Sequence, residues 1–385
     1  MTGSGTQGDP FVIWDVNDLQ AVQNDLDAYY ELGNDIDASA TSGWNGGLGF
    51  DPIGTSWDID PFNGHFDGKE FTISNLYINR PTETFVGLFA ACYYTGIGGE
   101  INNVNLINVN ITGNKEVGAL IGRSYSPVVN CNSTGIIRGG GGITGAYNID
   151  IGGLIGYQYA STTRCNSSCS VTTLAMGKGI GGFLGYNNGE VHECFTIGNV
   201  IANYTNDYVG GLIGENDNKI FDSYARGNVI GHDYVGGFVG LNSGNIDNSY
   251  STGEVSGSTN VSGFCGDNIG TITNDCFWDV ETSGTEISDG GIGKTTAQMK
   301  MQTTFSSWDF ASIWAINAIC NNGYPCLLEV TPNCVLMTDS PRVIHPIKDI
   351  VTLEALRNIE MSAVGRLYVN EEGKFVYESR YGRNP

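Results

Sequence analysis

The sequence predicts an all-β fold, a right-handed parallel β-helix closed by end caps and followed by an extended carboxy-terminal arm. Three observations carry this reading. Glycine supplies 56 of 385 residues, about twice its usual ~7% share. Each Gly inside a helix costs about 1 kcal/mol relative to Ala, so strands and turns must dominate. Charged residues make up 15% of the chain, against ~25% in an ordinary soluble domain. That excludes a coiled coil, a charged disordered tail and a Lys/Glu-rich helical enzyme. The third observation is an internal repeat.

One hexapeptide recurs as Val117-Gly-Ala-Leu-Ile-Gly122, Ile151-Gly-Gly-Leu-Ile-Gly156, Ile180-Gly-Gly-Phe-Leu-Gly185, Val209-Gly-Gly-Leu-Ile-Gly214, Val235-Gly-Gly-Phe-Val-Gly240 and Val261-Ser-Gly-Phe-Cys-Gly266, with a degenerate copy at Val86-Gly-Leu-Phe-Ala90. The spacings from Val86 are 31, 34, 29, 29, 26 and 26 residues. Between the copies lie Gly189–Gly198, Lys219–Gly227 and Gly244–Gly253, each a short strand ended by a Gly turn. Two or three short strands per repeat describe one coil of a β-solenoid. Coils stacked at ~4.8 Å make a rod roughly 35–45 Å long for seven to nine coils.

Stacking turns equivalent positions into ladders. Cys131, Cys165, Cys194, Ser223, Ser249 and Cys276 share one position, which suits a narrow interior corner and makes several of the ten Cys buried thiols. Phe195, Tyr224, Tyr250 and Phe277 form the next ladder, read as packing rather than as a binding platform. The glycine-rich hexapeptide is no phosphate loop, since no Lys-Ser/Thr and no helix pattern follow it. Its glycines allow close backbone approach.

These repeats resemble the GLUG motif of bacterial and archaeal surface proteins, which include adhesins and the amino-terminal regions of some IgA-cleaving peptidases. Asp9–Gln20 with Tyr29–Asp37 resembles the segment that precedes such repeats, Phe62–Gly68 with Ile73–Tyr77 the first coil, and Thr295–Met299 with Trp308–Phe310, Trp314–Ile316 and Asn322–Pro325 the closing segment. The resemblance spans about residues 9–328 and implies a parallel β-helix, but no single activity. The domains expected are an amino-terminal cap with a short helix at 1–40, a solenoid at 41–296, a carboxy-terminal cap at 297–330 and an arm at 331–385. In the first cap, Val16, Leu19 and Val22 share one helical face. Caps are needed because an open solenoid end exposes strand edges and core.

In the arm, Leu353–Val364 has a helical period, and Gly365–Val369 and Phe375–Ser379 alternate around Asn370–Gly373 as a β-hairpin. This stretch resembles a recurring element of tailed-phage minor tail proteins, through Glu360, Ser362, Gly365–Val369, Gly373 and Tyr377–Arg380. A Pro-punctuated extension without a sizeable core is rarely ordered alone, so the arm, with Tyr368, Tyr377 and Arg380, is expected to dock onto its own solenoid, a sister subunit of a homo-oligomer or a larger particle, an assembly contact being preferred.

Formal charge is −23. Residues 331–385 balance seven Lys/Arg against seven Asp/Glu, so residues 1–330 carry the whole deficit. An anionic body repels phosphate backbones, which excludes nucleic acid as a partner. No stretch has the 18 or more apolar residues of a membrane helix, and Met1–Gly5 lacks the basic and apolar regions of a signal peptide. Candidate glycosylation sites are Asn110, Asn132, Asn166, Asn203 and Asn260. Cys320, Cys326 and Cys334 are candidate disulfide partners near the closing cap, or else buried thiols.

The chemistry is sparse. His65, His192, His232 and His345 are scattered without metal-ligand spacing, and no cofactor, metal or catalytic residue is assigned. Acidic candidates are Asp35 with Asp37, Asp58 with Asp60, Glu215 with Asp217, and His232 with Asp233. Asn-Asp and Asp-Gly clusters are also ordinary turn residues. The reading is a non-enzymatic, extracellular structural and recognition component, on a virion or a cell surface, whose ligand is a surface glycan or protein. A phage-like tail or fibre protein is preferred. A cell-surface adhesin is the first alternative, and a polysaccharide lyase or hydrolase on a β-helix the second.

Overall fold

The computed structural model describes residues 1–93, 99–140, 148–173, 176–202, 207–318, 320–330, 365–369 and 375–379. They form two units, Met1–Pro332 and Asn333–Pro385.

The first unit is a parallel β-solenoid whose coils each contribute short strands to four stacked sheets. The coil at Asp233–Gly236, Val239–Asn242, Asn245–Asp247, Tyr250–Ser251 and Val255–Ser256 is representative. Its first two strands lie in seven-stranded sheets, faces one and two. Asn245–Asp247 belongs to a ten-stranded sheet, face three, and the last two to a fifteen-stranded sheet, face four. Neighbouring coils pair in parallel and in register, as in Val235↔Val261, Val239↔Cys265 and Tyr250↔Phe277.

The hexapeptide makes the turn between faces one and two. A Cβ on Gly236 would lie 1.9 Å from the Val239 carbonyl oxygen and 2.8 Å from that of Phe264 in the next coil. One on Gly240 would lie 2.4 Å from the backbone of Tyr208 in the preceding coil. Here Gly is required by space rather than by φ. The residues just before the hexapeptide do take positive φ: Phe85, Glu116, Asp150, Tyr208, Tyr234 and Asn260 at +49° to +63°. Only Gly179 in this row lacks a side chain, so stacking imposes a conformation that L residues avoid by about 1–2 kcal/mol.

The interior is held by two polar ladders within a core of Val, Ile, Leu and Phe. The Cys131 N–H donates to Cys165 Sγ at 3.2 Å, Cys194 N–H to Ser223 Oγ at 3.2 Å, and Ser223 N–H to Ser249 Oγ at 3.3 Å. Each hydroxyl donates in turn to the carbonyl two residues back, as Ser223 does to Phe221 at 2.9 Å. A small hydroxyl or thiol thus satisfies two backbone groups at a corner where an apolar residue would leave both unmet. Cys92, Cys131, Cys165, Cys169, Cys194, Cys265 and Cys276 are buried and free.

In the second ladder, Asn187, Asn216, Asn242 and Asn268 pass amide bonds from coil to coil, each step 2.8 Å. Asn216 also donates to the Asn218 carbonyl at 2.7 Å. Asn216→Leu removes both ladder bonds and strands the buried amides of its neighbours. At about 1–3 kcal/mol per unmet group, a loss of roughly 2–5 kcal/mol is expected in urea unfolding. A loss below about 0.5 kcal/mol, the scale of a surface change, would mean that the ladder is not structural.

The amino-terminal segment is more than a lid. Its strands Phe11–Ile13 and Tyr29–Leu32 already belong to face three, pairing in parallel with each other and with His65–Asp67. The helix Val16–Ala21 is capped by Asp15, which accepts from the N–H groups of Asn17 and Asp18 at 2.8 and 2.9 Å. Val16, Leu19 and Val22 are buried on the first coil.

At the other end, residues 280–294 cover the last coil. The Gly263 N–H donates to the Ile287 carbonyl at 2.9 Å, Ser288 Oγ accepts from Phe264 and Cys265, and Ile292–Lys294 pairs with Phe277–Asp279. Residues 297–330 therefore have another place: they lie along the flank. Met299, Phe305, Trp308, Trp314, Tyr324 and Leu327 pack onto the ladder Phe195–Tyr224–Tyr250–Phe277. Trp314 Nε1 donates to Asp222 at 3.0 Å and Tyr250 Oη to the Pro325 carbonyl at 2.5 Å. The aromatic row is a docking strip for the chain's own closing segment.

In the second unit, Gly365–Val369 and Phe375–Ser379 pair antiparallel, with Leu367 opposite Tyr377 and Tyr368 opposite Val376. The helix expected at Leu353–Val364 and residue Arg380 lie outside the described residues, as do His345, Asn203 and Cys334.

Candidate functional site

Several of the acidic candidates hold turns and neighbouring strands together. Asp35 accepts from the Thr72 N–H at 2.8 Å. Asp37 accepts from the Asn75 amide and from the Ser39 N–H and hydroxyl, and these bonds hold its carboxyl below the usual carboxylate range. Asp58 accepts from Ser56 at 2.8 Å. His192 stacks on Phe221 at 4.1 Å and meets Glu193 at 3.0 Å, while His232 faces Asp233 at 3.1 Å. Among the described residues, no group of three His, Cys, Asp or Glu is placed to hold a metal ion.

The sequons differ in accessibility. Asn132 and Asn166 are paired strand residues, half-buried, and the Asn132 amide bonds to Asn105. Asn110 accepts from Arg138 at 2.8 Å. Asn260 is exposed. Cys320 and Cys326 are both disulfide-bonded.

The feature that sequence reading missed lies on the outside of face two. The residues one and three places after each closing glycine point outward: Arg123 and Tyr125, Tyr157 and Tyr159, then Tyr186 and Asn188. Stacked coils bring them together with Trp57 and Tyr93. Ring centroids are 5.9 Å apart for Trp57–Tyr125, 5.3 Å for Tyr93–Tyr125, 4.6 Å for Tyr125–Tyr159, 5.0 Å for Tyr157–Tyr159 and 4.3 Å for Tyr157–Tyr186. Tyr125 and Tyr159 are within 7° of coplanar stacking. Trp57, Tyr93 and Tyr159 are 37–40% exposed. Core packing explains the covered ladder on the flank, but nothing in the described residues covers this strip. A contiguous exposed aromatic patch marks an interaction surface.

A charged seam borders the strip. Arg123 grips Glu116 through two bonds, 2.5 and 2.7 Å, and lies 4.5 Å from the Tyr157 ring centre. Burial raises the Glu116 carboxyl above the usual range despite the Arg123 bonds. Tyr186 donates to Asp217 at 2.5 Å, and Tyr157 to the Tyr159 hydroxyl at 3.1 Å. Burial raises the phenols of Tyr125, Tyr157 and Tyr186, so all three are neutral at physiological pH.

Asp150 sits in the row of Glu116. It is 1% exposed, and its Oδ1 has no hydrogen-bond partner among the described residues. That oxygen occupies the space a side chain at Gly179 would need, 2.6 Å from the position of a Cβ there. Burial first, then Glu116 and Glu215, push its carboxyl well above the usual range. The folded chain thus holds a proton that the unfolded chain releases. Stability is greatest below the ordinary carboxylate range and falls as pH rises through the raised value, by up to about 1.4 kcal/mol per pH unit. Asp150→Asn removes that term. Its melting temperature should exceed wild type by a margin that widens as pH rises above the ordinary carboxylate range. A margin that stays constant or narrows would place the proton elsewhere.

The GLUG motif matches residues 231–256, the one coil that runs from Asp233–Gly236 to Val255–Ser256. The chain is 39% identical over 154 residues to Halomucin of Haloquadratum walsbyi, a match covering 37% of this chain and 2% of that protein. It is 33% identical over 133 residues to a protein of Evansella cellulosilytica provisionally named a Gly-rich membrane protein, covering 33% of this chain and 15% of that one. The chain thus spans a small fraction of the length of these relatives. Among solved structures it resembles a provisionally named immunoglobulin A1 protease from Bacteroides ovatus. That match has a TM-score of 0.58 and 20% identity over 85% of this chain and 95% of that one, a likeness of fold alone. Fold and motif together describe a parallel β-solenoid, one coil of which matches the GLUG motif.

Proposed function

We propose that this chain is a recognition segment displayed at a cell surface, a β-solenoid of adhesin type that meets its target through the tyrosine strip of face two. The strip carries the reading. It places aromatic rings from successive coils at the surface, although the same protein covers its other aromatic ladder with its own closing segment. The names of two relatives, a halomucin and a membrane protein, support a surface location, and the GLUG motif supports the scaffold. No helix among the described residues is long and apolar enough to cross a membrane. The reading is non-enzymatic and assigns the acidic loops to turn structure.

The test is retention of the full chain on intact cells or cell envelopes. Replacing Tyr93, Tyr125 and Tyr159 together with Ala should cut retention at least tenfold while leaving the β-sheet spectrum unchanged. Equal retention would remove the strip from function.

The arm gives a second reading its support. A formed hairpin at Gly365–Ser379, with Tyr368 and Tyr377 in its strands, suits a contact with other subunits, either on a cell or in a phage-like tail or fibre. Sedimentation of the full chain beside residues 1–328 tests it. Assembly of the full chain alone favours a docking arm, and two monomers would contradict one.

A further inference from the structure

We infer that the ligand of the tyrosine strip is a neutral, unbranched glycan laid along the solenoid axis. This rests on the strip being the recognition surface. The geometry is linear and periodic: Tyr93, Tyr125 and Tyr159 occupy the same outward position in successive coils, and Tyr157 and Tyr186 occupy a second row beside them. Each step is one coil, ~4.8 Å. A surface repeating one chemistry at a short, fixed interval gains most from a ligand that is itself a short-repeat polymer. A helical or irregular protein surface has no such period, and would match the row at one step only.

The chemistry of the row narrows the class. Tyr125 and Tyr159 stack on each other, so a ligand meets their edges and hydroxyls rather than their flat faces. Ring edges are weakly positive and apolar, and a phenol both donates and accepts. That pairing suits a sugar, which offers C–H edges and hydroxyls in alternation. Tyr157 and Tyr159 share a hydroxyl contact at 3.1 Å, a ready donor and acceptor pair for vicinal diols.

Charge removes the acidic polysaccharides. Arg123, the cation within the strip, is held by Glu116. Asp217 stands at the end of the row, bonded to Tyr186, and the whole chain carries −23. A carboxylate or sulfate polymer would meet repulsion without a counter-charge. Binding to a neutral chain is instead insensitive to ionic strength.

The experiment uses the full chain in affinity electrophoresis through gels containing one soluble unbranched polymer each: pullulan, lichenan and inulin as neutral probes, polygalacturonate and hyaluronan as acidic ones. A proline-rich peptide is titrated separately. At least one neutral polymer should retard the chain, equally at low and high salt, and neither acidic polymer should. Tyr159→Ala should weaken that retardation by at least about fivefold, the scale of one truncated interface anchor. Retardation by an acidic polymer, or binding of the peptide, would overturn the inference. No retardation by any polymer would do so too if periodate treatment of the envelopes, which cleaves vicinal diols, leaves strip-dependent retention intact and protease abolishes it. The recognition surface would then stand and its ligand be a protein. If the strip variants are retained on envelopes like wild type, the surface assignment itself fails.

Discussion

Gly236→Ala is expected to be among the most damaging single methyl additions this chain can receive. The added carbon would sit 1.9 Å from the Val239 carbonyl oxygen and 2.8 Å from that of Phe264, both backbone atoms within stacked coils. Overpacking against movable side chains costs about 1–3 kcal/mol. Here neither neighbour can yield without breaking a turn between faces one and two, so a loss above about 4 kcal/mol is expected. Gly43→Ala is the matched control, because nothing lies within 4 Å of its Cβ position. There the effect should stay within about 0.5 kcal/mol. Urea midpoints of the two variants decide the matter. Similar midpoints would show that the hexapeptide glycines are not set by close approach.

The second large effect concerns the closing segment. Trp314 is fully buried, 4.4 Å ring to ring from Trp308 and about equally near Tyr224 and Tyr250, at 6.2 and 6.1 Å. Its indole N–H satisfies Asp222, a carboxyl that burial already pushes upward. Trp314→Ala should cost about 3–5 kcal/mol from lost packing, and further because Asp222 keeps its burial without its donor. The segment binds a side of the rod, and the coils beneath pair with one another independently of it. Limited proteolysis should therefore release fragments from 297–330 while residues 1–290 resist. Exposure of Phe195, Tyr224, Tyr250 and Phe277 should also raise dye binding and aggregation. A single cooperative loss of both regions would contradict this separation.

The inward half of this architecture was legible from the residues. Cys131, Cys165, Cys194, Ser223 and Ser249 recur because one corner of every coil demands a small group that can bond two backbone atoms. The hexapeptide recurs because Gly236 and its equivalents have no space for a side chain. Outward rows obey no such rule. The row Asn105, Asn132, Asn166, Phe195, Tyr224, Tyr250, Phe277 changes from polar to aromatic along the rod. That change is where the closing segment begins to cover it, and Glu329 meets Arg164 at the boundary, 3.1 Å away. The switch was visible as a pattern, but only register shows that the residues share a line.

The tyrosine strip was hidden for a related reason. Tyr125, Tyr157, Tyr159 and Tyr186 all follow a closing glycine by one or three residues, a spacing open to inspection. Rows with Glu215, Leu241 and Asp267 at the same place dilute the signal, and Trp57 and Tyr93 join only through the fold. The left-handed residues were equally unreadable. Tyr208 and Phe85 adopt positive φ because neighbouring coils impose it, against their own preference.

The most direct test of the strip as the recognition surface is tyrosine nitration of the full chain, mapped by mass spectrometry with and without saturating cell envelopes. Bound target should protect Tyr93, Tyr125 and Tyr159 and leave Tyr208 and Tyr234, which lie on face one, modified as before. Unchanged modification of the strip, or protection confined to face one, would contradict it.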